Sequence, residues 1–315
     1  MAADGGACII CLDTSPPPIQ SGCACRGDGG LAHIDCLAQL AASQQPHRGD
    51  GVWRQCQTCK QDFTGAMQTG LAEAWRSRVA GQPAESLDRL AAEFNLANTL
   101  LHQGKSAQAE RVLRALHEME THVYGAEHPN TLNTVRNLAT SLSGQGKYAD
   151  AERIFREVLV VQKRELGSEH PDTLWSATNL ASSLSCQGKY AEAEVIDRVV
   201  HVVQTRVLGA EHWETLSTAG NLAQSLMHQG KYAEAEAMQR EVLKVKKRVL
   251  GAEHPSTLTT AGNLALCLSE QGKYAEAEVI QREVLGVHER VLGAEHPSTL
   301  TTAGNLALSL SGQGK

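Results

Sequence analysis

The chain holds 315 residues, room for two domains or one long array, and 42% hydrophobic against 20% charged residues is ordinary globular composition that excludes a chain dominated by disorder. A formal charge of -6 without a basic run leaves no electrostatic footprint for nucleic acid or anionic lipid. No window approaches the roughly 20 apolar residues that span a bilayer, and the N-terminus lacks the basic start and apolar stretch of a secretory signal, so neither nucleic acid nor a membrane is an expected partner.

Seven of the nine cysteines lie within the first 59 residues, where with one histidine they read Cys8-x2-Cys11, Cys23-x-Cys25, His33-x2-Cys36 and Cys56-x2-Cys59. Four close pairs suit two tetrahedral Zn²⁺ sites, because one tight turn supplies two ligands. Only Cys186 and Cys267 are left over. The pattern therefore points to metal-bound thiolates in a reducing compartment, the cytosol or the nucleus, rather than to a disulfide framework.

The ligand order, with its single histidine in fifth place, occurs both in RING-variant (RING-CH) fingers and in the plant-homeodomain fingers that read histone tails. One residue between Cys23 and Cys25, then seven before His33, resembles the RING-CH spacing. Plant-homeodomain fingers tend to carry Trp two residues before the seventh ligand, whereas Trp53 lies three before Cys56. The segments Cys23-Ala24-Cys25-Arg26-Gly27 and Leu31-Ala32-His33-Ile34-Asp35-Cys36-Leu37 also resemble RING-CH, and the likeness covers about residues 7–63.

That resemblance implies a cross-brace: Cys8, Cys11, His33 and Cys36 on one zinc, Cys23, Cys25, Cys56 and Cys59 on the other. It implies docking of a ubiquitin-conjugating enzyme and transfer of ubiquitin to a substrate lysine by positioning, with both zinc sites closed and no catalytic residue in the finger. Ile10 matches the apolar residue that RING fingers present to the conjugating enzyme. Lys60, directly after the last ligand, stands where many active fingers have a basic residue. Leu40 occupies a docking-groove position where RING-CH fingers often have Trp, and Gln57 one where ordinary RING fingers often have Pro. A domain this small depends on its metal, so a strong chelator is expected to unfold residues 1–65 and spare the repeats.

Residues 66–80 read as a helix through Met67, Leu71, Ala74, Trp75 and Val79, interrupted by Gly81-Gln82-Pro83. Trp75 and Leu71 are placed to cap the next domain, and the low Gly and Ser content favours a rigid junction over a flexible linker.

From residue 86 the sequence repeats with a period of 42 residues. His-Pro recurs at His128, His170, His254 and His296, with His212-Trp213 in the missing register. Asn-Leu-Ala starts at Asn95, Asn137, Asn179, Asn221, Asn263 and Asn305, and Gln-Gly-Lys at Gln103, Gln145, Gln187, Gln229, Gln271 and Gln313. Within 128–169, Leu132, Leu138, Ala139 and Leu142 mark one helix behind a Pro start. After a turn at Gly146-Lys147, Tyr148, Ala151, Ile154, Phe155, Val158 and Leu159 mark a second, which stops at Gly167. Helix pairs of this kind bury their apolar faces only by stacking.

Leu-Ala-x-x-Leu followed by Gly-Lys-Tyr-x-x-Ala-Glu resembles the tetratricopeptide repeat, in its long kinesin-light-chain form, over about residues 86–315. The resemblance implies a groove, lined by the first helix of each pair, that binds peptides of a protein substrate. Asn137, Asn179, Asn221 and Asn263 match positions that point carboxamides at an extended peptide, unless they instead satisfy backbone groups between helices. Columns that vary between repeats bear on ligand choice: Asn133, Trp175, Ser217 and Thr259 in one, Arg136, Thr178, Gly220 and Gly262 in another. Only Arg136 is basic, which disfavours a clamp for a C-terminal carboxylate. The histidines before Pro read as turn residues, being one repeat apart. Gly220, Gly262 and Gly304 inside helices permit close packing or a smooth groove wall. The sixth unit ends after its first helix, which is expected of a fragment or a truncated reading.

The expected fold is mostly α: a small two-zinc cross-braced finger (1–65), a helical linker or cap (66–85) and an α-solenoid of 42-residue helix-turn-helix repeats (86–315), five full and a truncated sixth. Three functions are compatible with it: a RING-type ubiquitin ligase or adaptor, a non-enzymatic scaffold with a structural finger, and a histone-tail reader. No nucleophile arrangement or phosphate loop supports a conventional active site.

Overall fold

The computed structural model describes residues 6–25 and 27–315; Arg26 of the finger motif lies outside the described residues. The chain divides into two compact units, Met1–Ile154 and Phe155–Lys315. The finger, the connecting helix and the first repeat all lie in the first unit.

In that unit, β1 (Ile19–Gln20) pairs antiparallel with β2 (Leu31–Ala32), Ile19 facing Ala32. The ribbon matters for what it flanks: Cys23 and Cys25 lie in the loop between the strands, and β2 runs directly into His33 and helix α1 (Ile34–Arg48). A 3-10 turn, Asp50–Trp53, and a bridge between Gln55 and Asp62 bring the last ligand pair back. The core here is thin. Cys8, Ala32, Cys56, Phe63, Met67 and Leu71 bury together, with Ile19, Ile34 and Leu37 against them.

The expected linker helix is α2 (Gly65–Val79). It approaches α1 closely enough that a Cβ on Gly70 would stand 2.5 Å from Ile34 Cδ1. Its two faces divide the roles assigned from sequence. Leu71 packs into the finger, not onto the repeats, because it shares a stripe with Met67 and looks back at the cysteines. Trp75 and Val79 face the other way and join Ala41, Val52 and Trp53 of the finger to Ala92 of the first repeat in a second cluster. Of Trp75 and Leu71, the tryptophan alone therefore meets the first repeat, with Val79 beside it.

The first repeat is α3 (Leu87–His102) and α4 (Ser106–Tyr124), followed by α5 (Pro129–Ser143) and by α6 (Tyr148–Glu165), within which the unit boundary falls. The second unit continues with α7 (Pro171–Cys186), α8 (Tyr190–Val207), α9 (Trp213–His228), α10 (Tyr232–Val249), α11 (Pro255–Glu270), α12 (Tyr274–Leu292) and α13 (Pro297–Gly312). Leu132, Leu138, Ala139, Leu142, Ala151, Ile154, Phe155, Val158 and Leu159 are all buried, as the helical period requires.

Local chemistry explains why each pair starts and turns where it does. The histidines at 128, 170, 212, 254 and 296 each cap the helix they precede, Nδ1 accepting the backbone N–H two residues on at 3.2–3.3 Å. They are turn residues, as read from their spacing. The glycine of Gln-Gly-Lys sits at φ between 70° and 78° in every copy from Gly104 to Gly314, a backbone region that suits glycine.

Gln-Gly-Lys also does something its sequence does not reveal, since in repeat after repeat its polar ends clamp a glutamate of the preceding second helix. Glu110 accepts from Gln145 at 2.7 Å and Lys147 at 3.0 Å. In the second unit Glu194 accepts from Gln229 and Lys231, Glu236 from Gln271 and Lys273, and Glu278 from Gln313 and Lys315, all at 2.6–2.9 Å. These donors, with an arginine one turn along each helix, hold all four carboxyls down at about 2. No described helix is long and apolar enough to cross a membrane.

Candidate metal centres and binding groove

The two outer cysteine pairs are built alike. In Cys8-x2-Cys11 the Leu12 N–H donates to the Cys8 carbonyl at 2.9 Å, and the Cys8 N–H to the Asp13 carbonyl at 2.9 Å; in Cys56-x2-Cys59 Lys60 donates to Cys56 at 2.9 Å, and Cys56 to Gln61 at 2.8 Å. Leu12 and Lys60, each just after the second cysteine, take positive φ of 66° and 62° to close these turns. Each knuckle thus aims two sulfurs at one point. Ile9 donates to the Leu31 carbonyl at 3.0 Å, which ties the first knuckle to β2 and so to His33.

The result is two clusters: Cys8, Cys11, His33 and Cys36 in one, Cys23, Cys25, Cys56 and Cys59 in the other, each with its ligand atoms within 4.8 Å of one another. These are the interleaved sets that the resemblance implied. His33 turns Nδ1 toward the sulfurs, 3.4 Å from Cys11 and 3.7 Å from Cys36, while Nε2 donates to the Pro16 carbonyl at 2.5 Å. That outer hydrogen bond leaves Nδ1 with its lone pair free for a metal.

The thiols are poised unevenly. Burial raises the Cys8 thiol, but N–H groups of Cys11, His33 and Ile10 outweigh it and bring it down to about 6. The Gln61 N–H heads the causes that bring Cys59 to about 6. Hydrogen bonding with Cys23 and Cys56 pushes Cys25 up to about 12, and burial followed by Cys11 and Cys8 does the same to Cys36. Three thiolates beside an imidazole at one centre, and four thiolates at the other, cannot crowd together without a cation between them, so each donor set fits a thiophilic divalent ion.

Between the knuckles lies a shallow apolar depression of about 70 Å³ whose lining includes Ile10, Leu37, Leu40, Val52, Gln57 and Phe63. It gathers Ile10 and Leu40, 30 positions apart in sequence. Ile10 is 38% exposed and therefore not spent on the finger's core. Lys60 is exposed but does not line this depression. Gln57 receives a hydrogen bond from Arg48 at 3.1 Å.

Sequence reasoning missed the junction hub. Asp88 accepts from Gln45 at 2.6 Å, Trp75 at 2.9 Å and Gln82 at 3.2 Å, binding finger, connecting helix and first repeat together. An acid in the first turn of α3 was the only sequence signal.

The groove asparagines divide. Asn137 is buried and donates to Asn98 at 2.8 Å, and Asn179 donates to the Trp175 carbonyl of its own helix at 2.8 Å, so these two amides serve the helices themselves. Asn221 is half-buried. Asn263 lines a cavity of about 470 Å³ together with Thr259, Gly262, His288 and Asn305. Trp175 meets Phe155 edge to face, ring centres 6.4 Å apart, and is half-buried, as is Arg136. An added Cβ on Gly220, Gly262 or Gly304 would meet nothing within 4 Å, which removes close packing as the reason for these glycines.

The tetratricopeptide repeat matches residues 88–159, 136–197 and 214–289, more than half of the chain. The chain belongs to the tetratricopeptide repeat family. Among solved structures it is similar to the nearly identical TPR-like repeats of a Podosopora anserina protein named for the kinesin light chain, at 26% identity and TM-score 0.58, covering 65% of this chain and 96% of that one. BtubC (BKLC) of P. vanneervenii aligns with TM-score 0.58 at 14% identity over 84% of this chain and 94% of that one, and apo RapI with 0.54 at 11% over 89% and 97%; these last two share the fold. No curated protein matches the chain. Its tetratricopeptide repeats make it a protein-interaction scaffold.

Proposed function

We propose that this tetratricopeptide repeat protein is a RING-type ubiquitin-protein ligase or ligase adaptor, whose finger recruits a ubiquitin-conjugating enzyme and whose repeats hold the substrate protein. The observation that carries the reading is the apolar depression that gathers Ile10 and Leu40. One knuckle supplies Ile10 and α1 supplies Leu40, beside two interleaved ligand sets. Zn²⁺ at both centres supplies structure and no chemistry, since every coordination position is taken by protein. The finger's contribution is to hold the charged conjugating enzyme near a lysine of the bound substrate. Such a ligase works in the cytosol or nucleus, where its thiolates stay reduced.

A panel of conjugating enzymes charged with ubiquitin tests this directly. Transfer accelerated by the full chain, and lost in Ile10→Ala with two zinc ions retained, is the expected result. No acceleration with any enzyme sinks the ligase reading and leaves a scaffold with a structural finger. One observation favours that second reading: Lys60 stands apart from the depression. The histone-tail reading has less support, because Trp53 is 2% exposed and stacked on Trp75 rather than open to a ligand.

A further inference from the structure

The first repeat and the start of α5 line an open cavity of about 310 Å³ whose walls include Leu87, Leu90, Phe94, Glu120, Tyr124 and Asn133. Its walls are aliphatic and aromatic, and its one ionisable carboxyl is Glu120 of α4. That side chain is 4% exposed, and although the Thr134 hydroxyl acts on its carboxyl, no well-formed hydrogen bond reaches Oε2. An orphaned buried carboxyl oxygen is costly unless something arrives to satisfy it. Burial pushes the group above the usual carboxylate range, and the Thr134 hydroxyl offsets this only in part.

The fold itself does not call for an acid here. The same register one repeat at a time carries Gln162, Gln204, Lys246 and His288. In the fifth repeat the matching cavity has Gly262 where the first has Phe94, Leu292 where it has Tyr124, and His288 where it has Glu120. His288 is already paired, Nδ1 lying 3.1 Å from the Thr302 hydroxyl. Tyr124 is held in place by stacking on His128, ring centres 4.5 Å apart and 18° from parallel. Aromatic walls and an unmet carboxyl oxygen thus coincide in the first repeat.

We propose that this cavity takes the side chain of a lysine or arginine from an extended peptide of the partner protein. The aliphatic stem lies against Leu90 and Leu87, the cationic head donates to Glu120 Oε2 and meets the faces of Phe94 and Tyr124, and Asn130 and Asn133 at the rim serve the peptide backbone. This deepens the protein-binding reading of the repeats and rests on it.

The test is selection of a random-peptide phage library on the full chain, followed by affinity measurement of the recovered peptides. Peptides sharing one Lys or Arg are expected, weakened about thirtyfold or more by Glu120→Gln, the loss of a desolvated charge pair. Norleucine in place of that residue should weaken binding to the unaltered chain and not to the variant. Gln already occupies the register at 162 and 204, so the variant is compatible with the fold, and an unchanged or raised Tm verifies it. Peptides that bind but ignore Glu120→Gln, or that share Trp, Tyr or an acid instead, overturn the inference and leave the protein-binding reading standing. Recovery of no binding peptide overturns both.

Discussion

Trp53 of the finger stacks on Trp75 of the connecting helix, ring centres 5.4 Å apart and planes 2° from parallel. Both indole N–H groups lead to one set of acceptors: Trp53 donates to Gln45 at 2.9 Å, and Trp75 to Asp88 at 2.9 Å, where Gln45 also ends. Stacked aromatics combine large buried area with fixed geometry. Here the pair makes the finger and the first repeat share a core.

Trp75→Ala is expected to destabilise the first unit by about 3–5 kcal/mol, the cost of emptying a buried aromatic site. Hydrogen exchange along α3 should rise with it. Unchanged protection of α3 would show that the stack is a surface ornament of the finger.

Metal removal should reach further than residue 65. A strong chelator is expected to release two zinc ions, unfold the finger core around Cys8, Cys56 and Phe63, and loosen α2 and α3 through the Trp53–Trp75 pair. Helices from α7 onward should keep their circular dichroism. Site-resolved exchange measures this, and an α3 as protected without metal as with it contradicts the coupling.

The glutamate clamps set an acid limit. Glu110, Glu194, Glu236 and Glu278 are held at about 2 in the folded chain against an ordinary 4.5. A lowered folded value means stabilisation that is complete above about 4.5 and is lost as pH falls toward 2. Urea midpoints should therefore drop over that window. Glu236→Gln should lower the midpoint at pH 7 and flatten the dependence, and an equally steep curve in the variant assigns the effect elsewhere.

Asp197 works in the opposite direction. It occupies the register that holds buried Leu113 and Phe155 in earlier repeats, neither of its oxygens has a hydrogen-bond partner, and burial pushes it up to about 7. A raised folded value on an acid penalises folding above the unfolded value, the penalty growing from about pH 4 to about 7. Asp197→Leu is expected to stabilise the second unit by up to about 4 kcal/mol at pH 8, and by little at pH 4. A Tm gain independent of pH would contradict this.

Gly262→Ala should raise stability by about 1 kcal/mol, the helix-propensity difference, because the new methyl meets open space. A loss of stability would mean that this glycine is needed for packing after all.

The helices were legible because their signals are local. Apolar spacing, His-Pro caps and a turn glycine act within a few residues, so α5 and α6 appear in the structure close to where the period places them. The four close ligand pairs were legible for the same reason, since each knuckle is a single turn. Ile10 and Leu40 were named through resemblance to a family, and the depression that unites them is a product of the fold.

The amino-acid sequence therefore carries the inventory: eight cysteine and histidine side chains that could hold metal, a helix between finger and repeats, and helix pairs of constant period. The partners come from tertiary packing. Asn137 finds Asn98 from 39 residues away, Lys273 finds Glu236 from 37, and Leu71 turns to the finger while Trp75 turns to the repeats. Glu120 became a candidate binding group only once its cavity and its unmet oxygen were in view. The reason is geometric: a residue's period along a helix says which side it is on, but only the packing of neighbouring helices says what stands there.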